Sequence, residues 1–267
     1  MLYSEKKIAN FKNTKFDFLL IDEKDNVLTV RLNRPEKKNA IHPLMLRELA
    51  FAFSYAHHNH DTRVVVLAAN GDVFCAGADM GELLNQPSTI PEPESEILLG
   101  ELFVKLHKPI IVKVHAPVYA GGIMFVAGCN FAIASDNATF AFPEVKRGIW
   151  PMQVMECLLN VMPPRKALEL CILGKTLTSA EALHAGLITT SVPANILDDE
   201  VNKLTSVICS NSPAAIKCGL RTYDEMRTVP KENRHLYLKK MLNELLLCDD
   251  AKEGISAFRE KRKPVWE

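Results

Sequence analysis

The chain has 267 residues, and its 32 Lys+Arg against 32 Asp+Glu leave no formal net charge. That balance excludes the broad basic face of a general nucleic-acid binder. With 48% apolar and 24% charged residues, the composition is that of a globular chain rather than a disordered one, long enough to bury a large core without staples.

Residues 16–22 (FDFLLID) and 27–32 (VLTVRL) predict two strands around a turn at Asp25-Asn26. Pro43 suits the first helical position, and Leu46, Leu49, Ala50 and Phe53 make an apolar stripe, so a helix is expected from Pro43 to about His60. Arg63–Ala69 reads as a buried strand. Gly71–Asp79 is turn-rich and leads into a helix-like segment. The prolines of Asn85–Glu94 predict a loop, a candidate mobile rim of a site. A helix over about Ser95–His107 stops before Pro109. There follow a strand (IIVKVHA), a Gly-Gly turn, a helix at about 122–129, and two strands (FAIAS and ATFAF). Helical patterns cover Gln153–Val161 and Arg165–Leu173. Thr178 and Glu181 form a capping box, and Gly186 suits that helix's end. Leu187–Val192 reads as a strand. After about residue 195 only helical patterns appear, with Ser212-Pro213 as an N-cap and first position.

Seven cysteines (75, 129, 157, 171, 209, 218 and 248) include no CxxC pair, so neither a disulfide scaffold nor a zinc ribbon is indicated. The start, MLYSEKKIANFKN, lacks a signal peptide's apolar stretch. No apolar run approaches the roughly 18 residues of a membrane span. A reduced, cytoplasmic protein with no membrane association is expected. His57-His58-Asn59-His60 reads as a solvated helix end in preference to a metal site. No hydrolase elbow, phosphate loop or HExxH occurs.

Three segments carry the chemistry: FCAGADM (74–80), HAPVYAGG (115–122) and ATFAFPEVKRGIWP (138–151). Each small-residue cluster follows an apolar strand and precedes a helix, which points free backbone N–H groups outward, where they suit an anion. Two such clusters could converge on one developing oxyanion. Taken singly, each is equally a tight turn.

Together with Asn33-Arg34-Pro35, Asn39-Ala40, KPIIVKVHAPVYAGG (108–122), LTSAEALHAGLI (177–188) and FREKRKPVWE (258–267), these segments resemble the crotonase superfamily, the enoyl-CoA hydratase/isomerase family, over nearly the whole chain. The resemblance implies an α/β fold: a crotonase-like spiral of ββα units over residues 1–195, followed by a C-terminal helical trimerisation region over 196–267. A homotrimer or dimer of trimers is implied. So is an acyl-CoA substrate, with coenzyme A part of the substrate and neither a tightly bound cofactor nor a metal required.

By match to the family's motifs, the N–H groups of Ala78 and Gly121 form a hole for a thioester enolate. Hydratases of the family use two glutamates. Glu144 matches the second, but Met124 stands at the first, and Glu101, Glu156 and Glu181 are not at the matching place. One general acid–base group is worth about 10²- to 10⁴-fold, so the loss weighs against hydration. Moving a double bond asks less, because one carboxylate can take a proton from one carbon and return it to another. Isomerisation is the favoured expectation. A hydratase with an atypical site, a non-catalytic acyl-CoA-binding homologue and thioester hydrolysis or decarboxylation stay open.

Coenzyme A is expected along Lys37, Lys38, Ala40, Ala76, Asp79 and Met80, with Arg34 adding to a basic rim. Phe258 and Lys261, with Arg262 and Lys263, are expected from a neighbouring subunit, although the REKRK run is equally a solvated helix end. Met124, Trp150 and Pro151 are expected at the acyl pocket, with the bulk of Trp150 and Met152 either altering that pocket or simply repacking the core.

Overall fold

Asp25 and Asn26 both take positive φ (51° and 65°), the turn geometry that matches the twist of paired strands. Across it β1 (Leu19–Lys24) and β2 (Val27–Leu32) pair antiparallel, with Lys24 opposite Val27. The structure is a computed structural model that describes residues 1–81 and 88–266. The helix-like reading after Asp79 and residues 85–87 of the expected loop lie outside the described residues.

The later strands are β3 (Val64–Ala69), β4 (Ile110–Val114), β5 (Val118–Tyr119), β6 (Phe131–Ser135), β7 (Thr139–Ala141), β8 (Thr176–Thr178) and β9 (Thr190–Val192). The helices are α1 (Glu5–Ile8), α2 (Pro43–His58), α3 (Leu99–Lys105), α4 (Ile123–Gly128), α5 (Met152–Leu159), α6 (Pro164–Leu173), α7 (Ser179–Ala185), α8 (Leu197–Cys209), α9 (Pro213–Met226), α10 (Arg234–Leu245) and α11 (Asp249–Glu260). One sheet runs β1-β2-β3-β4-β6-β9 and is parallel beyond the first hairpin; a smaller one runs β5-β7-β8.

Every residue of β3 is buried, as its unbroken apolar run requires of a strand covered on both faces. Val65 and Leu67 enter the main core, whereas Val64 and Val66 meet Leu197, Val201 and Ile208 of α8. The composition change near residue 195 is therefore not a change of packing: α8, beyond it, covers the sheet.

The His42 side chain caps α2, accepting from the Leu44 N–H, and Pro43 takes the first position. Burial on α2 extends beyond the expected stripe to Phe51 and Tyr55. The cause is the N-terminal segment: Tyr3 sets its ring edge on Phe51 (5.2 Å) and Phe11 stacks on Tyr55 (3.9 Å). That segment also holds part of the expected loop, for Glu94 N–H donates to Leu2 C=O and the Lys7 ammonium to Glu92 C=O.

The helix expected from Ser95 begins only at Leu99. His57 is not a solvated helix end: its Nδ1 lies 2.9 Å from Leu106 C=O, and burial pushes its pKa down to about 4. Among the described residues there is no group of three or more His, Cys, Asp or Glu able to hold a metal, and no helix is long and apolar enough to cross a membrane.

The capping box at α7 is complete, with the Thr178 hydroxyl accepting from Glu181 N–H and the Glu181 carboxylate accepting from Thr178 N–H. Thr178→Ala is expected to cost about 1 kcal/mol, measured as a lowered urea midpoint with an unchanged slope.

Candidate active site

Three chain segments lie side by side in one parallel register. Cys75 bridges to Val118, and Val118 pairs with Phe140. Each segment then leaves the ladder at the same end, the first at Ala78, the second at Gly121 and the third at Glu144. Neighbouring strands lie about 4.8 Å apart, so the register alone gathers these exits.

The amides are aimed by their neighbours. Ile41 N–H donates to Gly77 C=O (2.8 Å), and Asp79 N–H donates to Ile41 C=O (3.0 Å). Alternate residues of a strand turn their amides to opposite sides, so the Ala78 N–H faces away from Ile41. Gly121 is the second residue of the helical turn Ala120–Gly122 that runs into α4, where the first amides have no partner within the helix. A Cβ on Gly121 would sit 3.6 Å from Ala78 N, so the two donors adjoin. Neither donates to another segment among the described residues.

Gly77 makes this approach feasible. Its φ is +90°, and a Cβ there would meet Ala120 Cβ at 2.8 Å and Gly121 N at 3.2 Å. Ala120 itself is left-handed (φ 51°), a conformation that costs a side-chain-bearing residue about 1–2 kcal/mol.

The turn carrying Lys37, Lys38 and Ala40 is built on Asn39. Buried and left-handed, its amide accepts from Arg34 N–H (2.8 Å) and donates to Asn70 C=O (2.7 Å) and Val73 C=O (3.0 Å). Lys37 and Lys38 are exposed, and neither forms a salt bridge among the described residues, although the Lys37 charge adds to the pull on the Asp79 carboxyl. Ala76 N–H donates to Lys38 C=O (3.0 Å), which fastens this turn to the Ala78 segment.

Arg34 is not on a basic rim, contrary to the expectation from sequence. It is 4% exposed, donates to Asp79 (2.5 Å) and holds the Asp79 carboxyl below its ordinary range. Met80 is 80% exposed.

Glu144 opens a short helical turn after β7. Phe142 N–H donates to Lys175 C=O, and Ile149 N–H donates to Glu144 C=O, closing the loop on both sides. Its Oε2 is buried without a hydrogen-bond partner. Burial pushes the carboxyl above its usual value, against smaller pulls from its own backbone N–H and from Arg147. A half-buried carboxyl that is raised and has one buried oxygen with spare acceptor capacity is the profile of a proton-transfer group.

Met124 is buried in the first turn of α4, three residues after Gly121. The three other glutamates weighed from the sequence are engaged elsewhere: Glu101 pairs with Lys105, Glu156 lies 3.6 Å from Arg227, and Glu181 serves the capping box. Pro151 is buried and Trp150 packs on the main core, but Met152 is 66% exposed.

Phe258 and Lys261 end α11, which packs on α9. Within one protomer no hydrogen bond or ion pair among the described residues joins them to the Lys37 turn. Arg262 is held by Glu253 and Glu260, so it is not a free rim charge.

Residues 22–267 match the family model described as enoyl-CoA hydratase/isomerase. An enoyl-CoA hydratase of Mycobacterium tuberculosis is 31% identical over 257 residues, covering 93% of this chain and 96% of the relative. The mitochondrial enoyl-CoA hydratase domain-containing protein 3 of Rattus norvegicus is 29% identical over 247 residues, covering 91% and 82%. The crystal structure of an enoyl-CoA hydratase of Mycobacterium smegmatis superposes with a TM-score of 0.84 at 29% identity, covering 94% and 99%. The chain belongs to the enoyl-CoA hydratase/isomerase family, within the crotonase superfamily, and has its α/β spiral fold. It is an enzyme of that family, and such enzymes act on CoA thioesters without a tightly bound cofactor.

Gly77→Ala is expected to displace one donor. Turnover should fall by about 10²- to 10³-fold, as on loss of one oxyanion donor, in steady-state assays of a protein whose circular dichroism is unchanged.

Proposed function

We propose that the chain isomerises an enoyl-CoA, moving the double bond from the 3- to the 2-position, with Glu144 as its single acid–base group. The observation that carries this reading is the buried, unpartnered Glu144 oxygen, together with Met124 where a second carboxylate would stand. Glu144 removes a proton from C2. The electron pair moves toward the thioester, and the charge arriving on its oxygen is met by the Ala78 and Gly121 amides. Each such donor is worth roughly 3–4 kcal/mol. The new carboxylic acid then returns the proton to C4 as the enolate collapses. Apolar Met124 keeps the carboxyl poorly solvated and raised.

Coenzyme A lies along Lys37, Lys38 and Ala40, with its phosphates toward the two exposed ammoniums, and along the backbone of Ala76, Asp79 and Met80. Met124, Trp150 and Pro151 shape the acyl end. Phe258 and Lys261 reach a neighbour's site in a homotrimer or dimer of trimers. Exposed Leu236 (73%), Leu247 (74%) and Phe258 (85%) support assembly through α9–α11, with α8 remaining part of the catalytic spiral. The free thiols suit a reducing compartment, and we retain the cytoplasm.

A second reading, hydration at an atypical site, is favoured by the names of the relatives. Incubation with 3-enoyl- and 2-enoyl-CoA decides between them. Isomerisation is expected to exceed hydration; efficient hydration without isomerisation would overturn the proposal, and binding without turnover would point to a non-catalytic homologue.

Glu144→Gln is expected to lower isomerisation by about 10²- to 10⁴-fold. The base acts deprotonated and its pKa is raised, so the wild-type rate should fall with acidity at a pH above the ordinary glutamate range, an inflection the variant lacks. Met124→Glu is expected to raise hydration of 2-enoyl-CoA; an unchanged rate would place that position outside the site.

A further inference from the structure

We propose that Glu48 is a positioning residue for the CoA-binding turn, acting through the Phe18 ring and the Arg34 guanidinium on the segment that carries Ala78. This rests on the acyl-CoA reading above.

Glu48 lies on the core-facing side of α2 and is completely buried. A buried carboxylate is costly without a counter-charge, and no ion pair to it occurs among the described residues. Its partners are backbone amides: Asp17 N–H donates to Oε1 (2.7 Å) and Phe18 N–H to Oε2 (3.0 Å). Burial moves its pKa up to about 7, against the pull of the backbone N–H bonds from Asp17 and Phe18. Both oxygens are thus tied to the backbone that leads into β1, which fixes where Phe18 stands.

Phe18 supplies the link. Its N–H is fixed by Glu48 and its C=O accepts from Asn33 N–H (2.8 Å), so the residue is clamped at both ends. Its ring lies beneath Arg34, with the guanidinium carbon 5.0 Å from the centroid, and the His42 ring lies 5.3 Å away. A cation over an aromatic face is attracted to the ring, and here the ring is held still.

Arg34 then bridges both sides of the coenzyme path. Its Nη1 donates to Ala40 C=O (3.4 Å) on the lysine turn and to Asp79 Oδ2 (2.5 Å) beside the hole. The sequence of contacts is continuous: Glu48, Phe18, Arg34, then Ala40 and Asp79. A purely local role, holding α2 to the start of β1, would end at Phe18.

The test measures Kd for an acyl-CoA in the full-length wild type, in Glu48→Gln, in Phe18→Leu and in the double variant, with Thr178→Ala as a destabilised control. Gln keeps the size but turns an NH2 toward one amide, and Leu removes the half-buried ring platform. Both single variants are expected to raise Kd about tenfold, the control to leave it unchanged, and the double variant to add little, since residues acting through one path are not additive. An unchanged Kd in Phe18→Leu overturns the inference, even if Glu48→Gln fails to fold. So does an unchanged Kd in a folded Glu48→Gln, or a double variant equal to the product of the singles. Failure of the wild type to bind acyl-CoA would overturn the functional reading and this inference together; binding indifferent to the variants overturns this inference alone.

Discussion

Cys75, Val118 and Phe140 stand abreast in one parallel register, and that alignment places the residues immediately C-terminal to each of them. The donors at Ala78 and Gly121 and the carboxyl of Glu144 come from segments far apart in sequence. None reaches out on a long flexible side chain from a distant wall. Two are backbone amides, and the third begins a turn closed by hydrogen bonds to Lys175 and within its own loop. Slipping any of these strands by one residue would turn its amides to the wrong side. The small sheet thus sets the chemistry, while the larger sheet and its buried β3 provide the rigid support.

The electrostatics obey the same economy. An oxyanion hole works because its dipoles are in place before charge appears, and on the proposed reading the left-handed Gly77 and Ala120 are the local cost of that arrangement. The Glu144 carboxyl is kept poorly solvated and raised, so it holds a proton more readily than a surface glutamate does. Arg34, rather than facing the coenzyme, neutralises Asp79 and locks two turns together. In the proposed site, the charges offered to phosphate are the exposed ammoniums of Lys37 and Lys38. A chain with no net charge therefore still presents a small basic edge.

Much of this was legible in the sequence, because some signals are local. Asp25-Asn26 marks its own turn, Thr178 and Glu181 mark their own helix start, and the apolar run of β3 requires burial. The candidate site residues were legible by motif rather than by periodicity. Other features depend on what packs from far away. The strands β5 and β8 are too short to show alternation, so the second sheet and its register were missed. Phe51 and Tyr55 fall outside the apolar stripe of α2, because the N-terminal segment that covers them is remote in sequence. Arg34 looked like a surface cation because its partner lies 45 residues on. His57 looked solvated because Leu106 is equally remote in sequence. The helical pattern of α8 was correct, but its place on the sheet could not be read from composition. Glu48 carries no signal in the sequence, since one acidic residue in an amphipathic helix is unremarked until its burial is known.

The central claim is that the Ala78 and Gly121 amides hydrogen-bond the thioester oxygen of a bound acyl-CoA. Difference infrared spectroscopy of an acyl-CoA carrying a 13C-labelled thioester carbonyl tests this directly. The carbonyl stretch is predicted to move to lower wavenumber on binding, because two donors polarise the C=O bond. A stretch in the bound complex equal to that in an apolar solvent would contradict it.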